Sequence, residues 1–216
     1  IDVLDFDRLT RVTDWIVGLL PPRYEDRFPD RLRTQGRAAI DGALSLRGQA
    51  LFDQHCAGCH AAPGDRVGRV EPITDLGTDP ERIAEFTPEL MRALNRLGTD
   101  RWELRHFRVE NGYVNMPLDG IWLRAPYLHN GSVPTLRDLL NPPERRPRVF
   151  CRGGEVYDWQ NLGYLTPAPT GSGSDACQGL FRYDTTVRGN GNGGHRYGAS
   201  LSDADKSALV EFMKTL

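Results

Sequence analysis

The chain has little of what marks several common classes of protein. It has no excess of positive charge, since 27 Lys and Arg stand against 29 Asp and Glu, with a formal net charge of -2. This near-balance gives no basic footprint for nucleic acid and no polybasic segment for anionic lipid. Hydrophobic residues make up only 39% of the chain. The apolar run at residues 16–20 is far shorter than the ~20 residues that a membrane span needs, so no span is predicted.

Turn-forming residues are plentiful instead. The chain has 23 glycines and 15 prolines, which predict long loops between a few helices. No stretch predicts more than a short edge strand. Helical spacing of apolar residues predicts helices over residues 6–20, 45–54, 87–97 (with Gly98 as its end) and 134–140, and a last helix after Ser202.

The motif that carries chemistry is C-x-x-C-H, formed by Cys56, Cys59 and His60. This is the attachment sequence of c-type haem. Two thiols on one face of a helical turn can each bond one vinyl group of a single haem, and the adjacent imidazole can then bind the iron. The alternatives are a zinc site, for which Cys151 and Cys177 do not supply a closely spaced second pair, and a thioredoxin-like redox pair, which does not need the histidine.

One such motif predicts one covalent haem c. The predicted fold class is therefore mainly α: a class I cytochrome c-like helical domain around one covalent haem, with long loop insertions. Residues 1–40 are predicted to form an N-terminal helix and linker, and residues 41–216 the haem domain with a C-terminal loop extension.

The second axial ligand of the iron separates an electron carrier from an enzyme, because an open position admits peroxide or O₂. Three residues are candidates: Met116 before Pro117, His195 in a glycine-rich loop, and His129 in a turn. Each also has an ordinary interpretation, as a packing methionine, an exposed loop histidine or a hydrogen-bonded structural histidine. The local pattern alone favours Met116.

A family resemblance enters with residues 120–136, GIWLRAPYLHNGSVPTL, and with the late sequence GHRYG at residues 194–198. Together with the haem motif, these segments resemble the bacterial di-haem cytochrome c peroxidase superfamily, and within it most nearly the rubber-oxygenase-like haem domain. The resemblance covers roughly residues 47–216. It implies a c-type cytochrome domain in which a histidine of the late loop, here His195, is the distal ligand, with Met116 as the alternative.

Two departures from the superfamily bear on function. Where the peroxidases carry a ligand methionine after the turn histidine, this chain has Pro143. Peroxidases and oxygenases of the superfamily work with two haems, whereas this chain has one attachment motif. The resemblance therefore implies the electron-transfer half of such a protein, and catalysis by this chain alone is not expected.

Further residues are candidates for contact with the haem. Trp122 and Tyr127 are predicted either to wall the haem or to pack in the core. Arg124 is predicted either to pair with a haem propionate or to lie at the surface. Pro63 or Pro72 is a candidate to accept a hydrogen bond from the free nitrogen of His60.

The two remaining cysteines, Cys151 and Cys177, are predicted to form a disulfide. Haem c is attached outside the cytoplasm, where disulfides also form. Residues 1–10 show no signal-peptide pattern, so any export signal is expected to have been removed. The protein is therefore predicted to be periplasmic or otherwise exported, and its abrupt first helix suggests a piece of something longer.

The predicted function is that of a mono-haem c-type cytochrome that passes single electrons. Its partner would be a dehydrogenase, an oxidase or another haem domain. The alternative is the haem subunit of a peroxidase or oxygenase, with an open iron site. The near-neutral charge gives no obvious steering patch for a partner.

Overall fold

The computed structural model describes residues 5–27, 39–97, 106–171 and 176–216. Its α-helices are α1 (Phe6–Val17), α2 (Gly42–His55), α3 (Ala57–His60), α4 (Ile73–Leu76), α5 (Glu81–Ala84), α6 (Pro88–Leu94), α7 (Leu136–Leu139) and α8 (Asp203–Met213). Short 3-10 helices span Tyr24–Arg27, Ile121–Leu123 and Pro143–Arg145. The strands are β1 (Val70–Pro72), β2 (Gly112–Val114), β3 (Val149–Arg152), β4 (Tyr157–Asp158), β5 (Gly163–Tyr164) and β6 (Phe181–Asp184).

The helices predicted from apolar spacing are present at their predicted places. Two are capped as their sequences indicate, since Thr87 Oγ1 accepts from the Leu90 amide at 3.2 Å and Ser202 Oγ accepts from the Asp205 amide at 3.2 Å. Helix α1 ends before the predicted residue 20. Gly98 and residues 28–38 of the predicted N-terminal helix and linker lie outside the described residues.

The contact between α2 and α8 joins two parts of the chain that lie far apart in the sequence. It depends on Gly48, because a Cβ there would lie only 1.9 Å from the carbonyl oxygen of Ala208. Hydrogen in place of a side chain lets the two helix backbones approach closely. One turn further on, the rings of Phe52 and Phe212 pack at 5.2 Å between centroids. The C-x-x-C-H motif follows directly after α2, so this helix pair sets its position.

The hydrophobic core lies beside this helix pair and includes Trp122, which is completely buried. Tyr24, from the N-terminal segment, meets the Trp122 ring edge-on at 5.3 Å and is itself buried. Tyr24 is thereby part of the hydrophobic core. Other members of the core are Val133, Leu136, Leu140, Leu162, Leu209, Val210 and Met213.

The fold-class prediction of a mainly α domain is wrong. The structure is 36% helix and 11% strand, and the described residues contain three antiparallel two-stranded sheets, β1–β2, β3–β6 and β4–β5. Each strand has between two and four residues. Segments this short give no period-2 pattern in the sequence, and the β1–β2 and β3–β6 pairs join parts of the chain that lie far apart.

No helix in the described ranges is long and apolar enough to cross a membrane.

The predicted disulfide between Cys151 and Cys177 is confirmed. Cys151 lies on β3, which pairs with β6, and in this pairing Cys151 lies opposite Arg182. The disulfide therefore links β3 to the segment that precedes β6. Both cysteines are buried.

Removing this disulfide is expected to lower the free energy of unfolding. The bond closes a loop with a sequence separation of 26, and in the chain-entropy model such a bond contributes about 3 kcal/mol. The Cys151→Ala, Cys177→Ala double variant should lose about this amount in a urea titration. Wild-type protein measured under reducing conditions is the matched control, because it keeps both side chains and lacks only the bond. Equal stability of all three samples would contradict the prediction.

Candidate haem-binding site

The haem motif folds as a single tight turn at the end of α2. The amides of Cys59 and His60 both donate to the Cys56 carbonyl, at 3.1 and 3.0 Å. This turn directs Cys56, Cys59 and His60 into one cavity of about 670 Å³. The two thiols are not bonded to each other. Burial raises the pKa of the Cys56 thiol to about 11, which disfavours its thiolate form in the free chain.

His60 is oriented by one hydrogen bond. Its Nδ1 lies 2.9 Å from the main-chain carbonyl oxygen of Met116. A carbonyl only accepts, so Nδ1 carries the proton and donates, and Nε2 is left with a lone pair for a metal. The carbonyl expected for this role was that of Pro63 or Pro72; the structure assigns it to Met116.

The Met116 carbonyl is itself held in place through the preceding residue. Asn115 is buried and exchanges main-chain hydrogen bonds with the segment before β1, at 2.9 Å to the Arg69 carbonyl and 2.9 Å from the Gly68 amide. Its side-chain amide donates to Glu71 Oε1 at 2.8 Å. Arg66 pairs with the same carboxylate at 2.6 Å and lowers the pKa of Glu71. These contacts hold the main chain of Asn115, and with it the Met116 carbonyl that accepts from His60.

His195 faces His60 across the cavity. The two ring centroids are 6.4 Å apart, with 45° between the ring planes. Nδ1 of His195 is buried and has no hydrogen-bond partner among the described residues. Burial first, and then the charges of His60 and Arg146, lower the pKa of His195 to about 4. The imidazole is therefore neutral at pH 7, the form that binds a metal.

The late loop that carries His195 is tied to the turn at residues 129–132. Asn130 Nδ2 donates to the carbonyls of Gly189 and Gly191 at 3.1 and 2.9 Å. Ser132 Oγ donates to the same Gly191 carbonyl at 3.0 Å, and the Gly191 amide donates to Asp79 Oδ2 at 3.0 Å. The H-N-G-S sequence thus supports the loop opposite His60.

The cavity fits a haem bound by this set of residues. Two cysteines and a histidine stand on one side and a second, neutral histidine on the other, and the space between them is large and walled by side chains from several loops. Its lining residues are Gln54, His55, Cys56, Gly58, Cys59, His60, Arg66, Glu71, Leu76, Thr78, Tyr113, Val114, Asn115, Met116, Leu128, His129, His195 and Tyr197.

Two other ligand candidates also line the cavity. The Met116 side chain is 54% exposed. The His129 ring stacks on Tyr113, with 4.4 Å between centroids and 15° between planes. Burial lowers the pKa of His129, and its Nε2 has no hydrogen-bond partner in the part of the chain that the structure describes.

Three of the predicted haem contacts lie away from the cavity lining. Trp122 is in the core, and Tyr127 is buried, with its hydroxyl donating to the Ile121 carbonyl at 3.0 Å. Arg124 donates to the main-chain carbonyls of Pro117 and Asp119. These contacts brace the segment between Met116 and the turn at residues 129–132.

Gly194, next to His195, has no room for a side chain. Its φ is +74°, and a Cβ would lie 2.4 Å from the Thr78 amide nitrogen and 2.5 Å from the Leu76 carbonyl oxygen. Gly194→Ala is therefore expected to lower the free energy of unfolding by about 2 kcal/mol, through strain at a positive φ and a backbone clash. Denaturant titration measures this effect.

Gly193→Ala is the matched control. A Cβ at Gly193 would only meet the Gly77 carbonyl oxygen at 3.5 Å, an ordinary contact. The control should stay within about 0.5 kcal/mol of wild type. A Gly194→Ala variant as stable as the Gly193→Ala variant would show that this loop is not held as described.

Comparison with known proteins agrees with this site. A family model described as "RoxA-like, cytochrome c-like" matches residues 112–151. A second, described as "Cytochrome C oxidase, cbb3-type, subunit III", matches residues 43–117. Cytochrome c domains carry covalent haem c at a C-x-x-C-H motif, and the second match contains this motif.

Two proteins of Sinorhizobium fredii (strain NBRC 101917 / NGR234) are similar over most of the chain. The uncharacterized protein y4iJ is 31% identical over 264 residues, covering 92% of this chain and 42% of its own length. The uncharacterized protein y4iM is 35% identical over 217 residues, covering 82% of this chain and 49% of its own. The chain thus spans less than half the length of each relative. The chain contains a c-type cytochrome domain related to the RoxA-like haem domains.

Proposed function

We propose that this chain is a single-haem electron-transfer domain, with haem c bonded to Cys56 and Cys59 and its iron bound by His60 and His195. The observation that carries the proposal is the 6.4 Å separation of the two imidazole centroids across the cavity. Bonds from a metal to imidazole nitrogen are about 2.0 Å long, so two imidazoles on opposite sides of one ion have centroids about 6.3 Å apart. The agreement supports two histidine ligands to one iron.

The position of Met116 favours His195 over Met116 as the sixth ligand. The Met116 carbonyl accepts from Nδ1 of His60, so an iron bound at Nε2 would lie on the other side of the ring. The main chain of Met116 would then lie on the side of His60 away from the iron, and its sulfur would have to pass around the haem to reach the opposite face. His195 lies across the cavity from His60, and its amide is held by the Leu76 carbonyl.

A filled sixth position suits electron transfer. Haem supplies a one-electron couple between ferric and ferrous iron, and its potential depends on its axial ligands and on burial. The chain holds both imidazoles through main-chain contacts, with His60 donating to the Met116 carbonyl at 2.9 Å and the His195 amide donating to the Leu76 carbonyl at 2.9 Å. Such a held ligand set would keep its geometry in both oxidation states of a bound haem and would leave no open position for peroxide or O₂.

Electron exchange would take place where the cavity meets the surface. Among its lining residues, Val114, Met116 and Tyr197 are 44%, 54% and 44% exposed. Apolar side chains at a partly open haem edge suit a transient contact with a redox partner. The partner is proposed to be a dehydrogenase, an oxidase or another haem domain, and the relatives of more than twice this length have room for one.

The single C-x-x-C-H motif supports one haem in this chain, on a domain proposed to span residues 41–216 after an N-terminal segment of residues 1–40. Cytochrome c domains are typically exported, and the Cys151–Cys177 disulfide is in keeping with an oxidising compartment. These observations support the proposal that the protein is periplasmic or otherwise exported.

Optical spectra of the haem-loaded chain test the proposal. Wild-type protein should be low-spin when oxidised and when reduced, without the sulfur-to-iron charge-transfer band of methionine ligation, and it should bind carbon monoxide slowly. His195→Ala should become high-spin and bind carbon monoxide rapidly, because the sixth position opens.

Two controls complete this test. Met116→Leu removes the sulfur and keeps the carbonyl that holds His60, and His129→Ala removes another histidine of the cavity wall; both should stay low-spin. A high-spin wild-type protein that binds ligands rapidly would favour the peroxidase or oxygenase alternative. A low-spin His195→Ala variant would remove His195 as the ligand.

A further inference from the structure

Arg146 is a buried arginine in the segment after α7. Its side chain is among the few charged groups buried in the described residues, with 4% of its surface exposed. Its guanidinium donates to five main-chain carbonyls. These belong to Leu139 (3.1 Å), Asn141 (3.0 Å), Asn192 (2.6 Å), Gly194 (2.9 Å) and His195 (3.1 Å).

These acceptors come from two parts of the chain. Leu139 is the last residue of α7, and Asn141 lies two residues after it. This short helix packs on the core. The other three belong to the late loop, which has no helix or strand over residues 188–196. One guanidinium therefore ties an irregular loop to a regular element. The guanidinium carries five N–H groups in a rigid plane, which suits this task. The ammonium group of a lysine has only three donors and no fixed planar arrangement.

The backbone at the end of this loop needs such support. His195 has a φ of +44°, a region that residues with a Cβ rarely adopt, and it follows Gly194 at +74°. Both main-chain groups of His195 are engaged, its amide by the Leu76 carbonyl and its carbonyl by Arg146. Nδ1 of the imidazole has no hydrogen-bond partner among the described residues, and the ring meets Tyr197 edge-on at 5.2 Å. The hydrogen bonds that hold this residue are therefore those of its main chain.

We propose that Arg146 is a positioning residue for the sixth iron ligand: its guanidinium fixes the main chain from Asn192 to His195, so that the His195 ring faces His60. This inference rests on the proposed ligation of the iron by His195. Arg146 is not among the residues that line the cavity, and its hydrogen bonds reach the main chain of His195 and not its ring.

Burial of a cation at this point is otherwise hard to explain. A buried charge is normally paired with an opposite charge, whereas the nearby carboxylate of Glu144 pairs with exposed Arg196 at 2.9 Å. Arg146 meets carbonyl dipoles instead. Burial lowers its pKa to about 10, which still leaves it charged at neutral pH. A purely packing role needs no such cation.

Carbon monoxide binding to the ferrous haem-loaded chain measures this positioning. Carbon monoxide enters only when His195 leaves the iron, so its binding rate follows the population of the open state. Arg146→Lys keeps the charge and loses the fork, and its rate should rise about tenfold above wild type. Arg146→Met should give a larger rise, together with a high-spin fraction in the oxidised spectrum. Added imidazole should restore the low-spin spectrum of Arg146→Met, because it replaces the misplaced ligand.

The matched control is the preceding residue. Arg145 is exposed and carries the same charge, so Arg145→Lys and Arg145→Met should bind carbon monoxide at the wild-type rate. If Arg146→Met does not fold, the Arg146→Lys rate decides. An Arg146→Lys variant that is destabilised but keeps the wild-type rate and spectrum would overturn the inference, because a merely structural residue behaves in that way.

The His195→Ala variant separates this failure from that of the proposed function. If His195→Ala is low-spin, His195 is not the ligand, and both proposals fall together. If His195→Ala is high-spin while both Arg146 variants keep the wild-type rate, the ligation stands and only the role of Arg146 is overturned.

Discussion

The arrangement of the site depends on holding an irregular loop in a fixed place. His60 is positioned by a helix end and one carbonyl, but His195 lies on a stretch with no regular backbone hydrogen bonding. The rest of the structure compensates through side chains that bind main-chain groups of that stretch: Asn130, Ser132, Asp79 and Arg146. Buried main-chain groups must find hydrogen-bond partners, and these side chains supply them. Without these contacts the loop would not hold the His195 imidazole 6.4 Å from that of His60.

This constraint gives a physical meaning to the turn sequence that carries the family resemblance. In residues 126–132, Pro-Tyr-Leu-His-Asn-Gly-Ser, the histidine lines the cavity wall, while Asn130 and Ser132 bond the late loop. Tyr127 exchanges main-chain hydrogen bonds with Val133 at 2.7 and 3.3 Å, which closes the turn. The segment thus acts as a bracket between the core and the loop that bears His195.

Local features of the sequence predicted much of the site. The C-x-x-C-H motif predicted that Cys56, Cys59 and His60 act together because they are adjacent in the sequence, and the structure directs all three into one cavity. The disulfide was predicted from the two remaining cysteines and from the export that haem c implies, and it is present. The short strands were missed because they pair across long loops. The partner of His60 was missed because every residue has a carbonyl, and nothing in the sequence distinguishes that of Met116. Arg146 was missed because Arg145 and Arg148 beside it have the same chemistry, and only tertiary burial separates them.

A crystal structure of the haem-loaded chain would show whether two histidines bind a single iron. Density for the His195 imidazole is expected on the iron, with Nε2 about 2.0 Å from the metal, opposite Nε2 of His60. Density for water, for another small ligand or for the Met116 sulfur at that position, with His195 turned away, would contradict it.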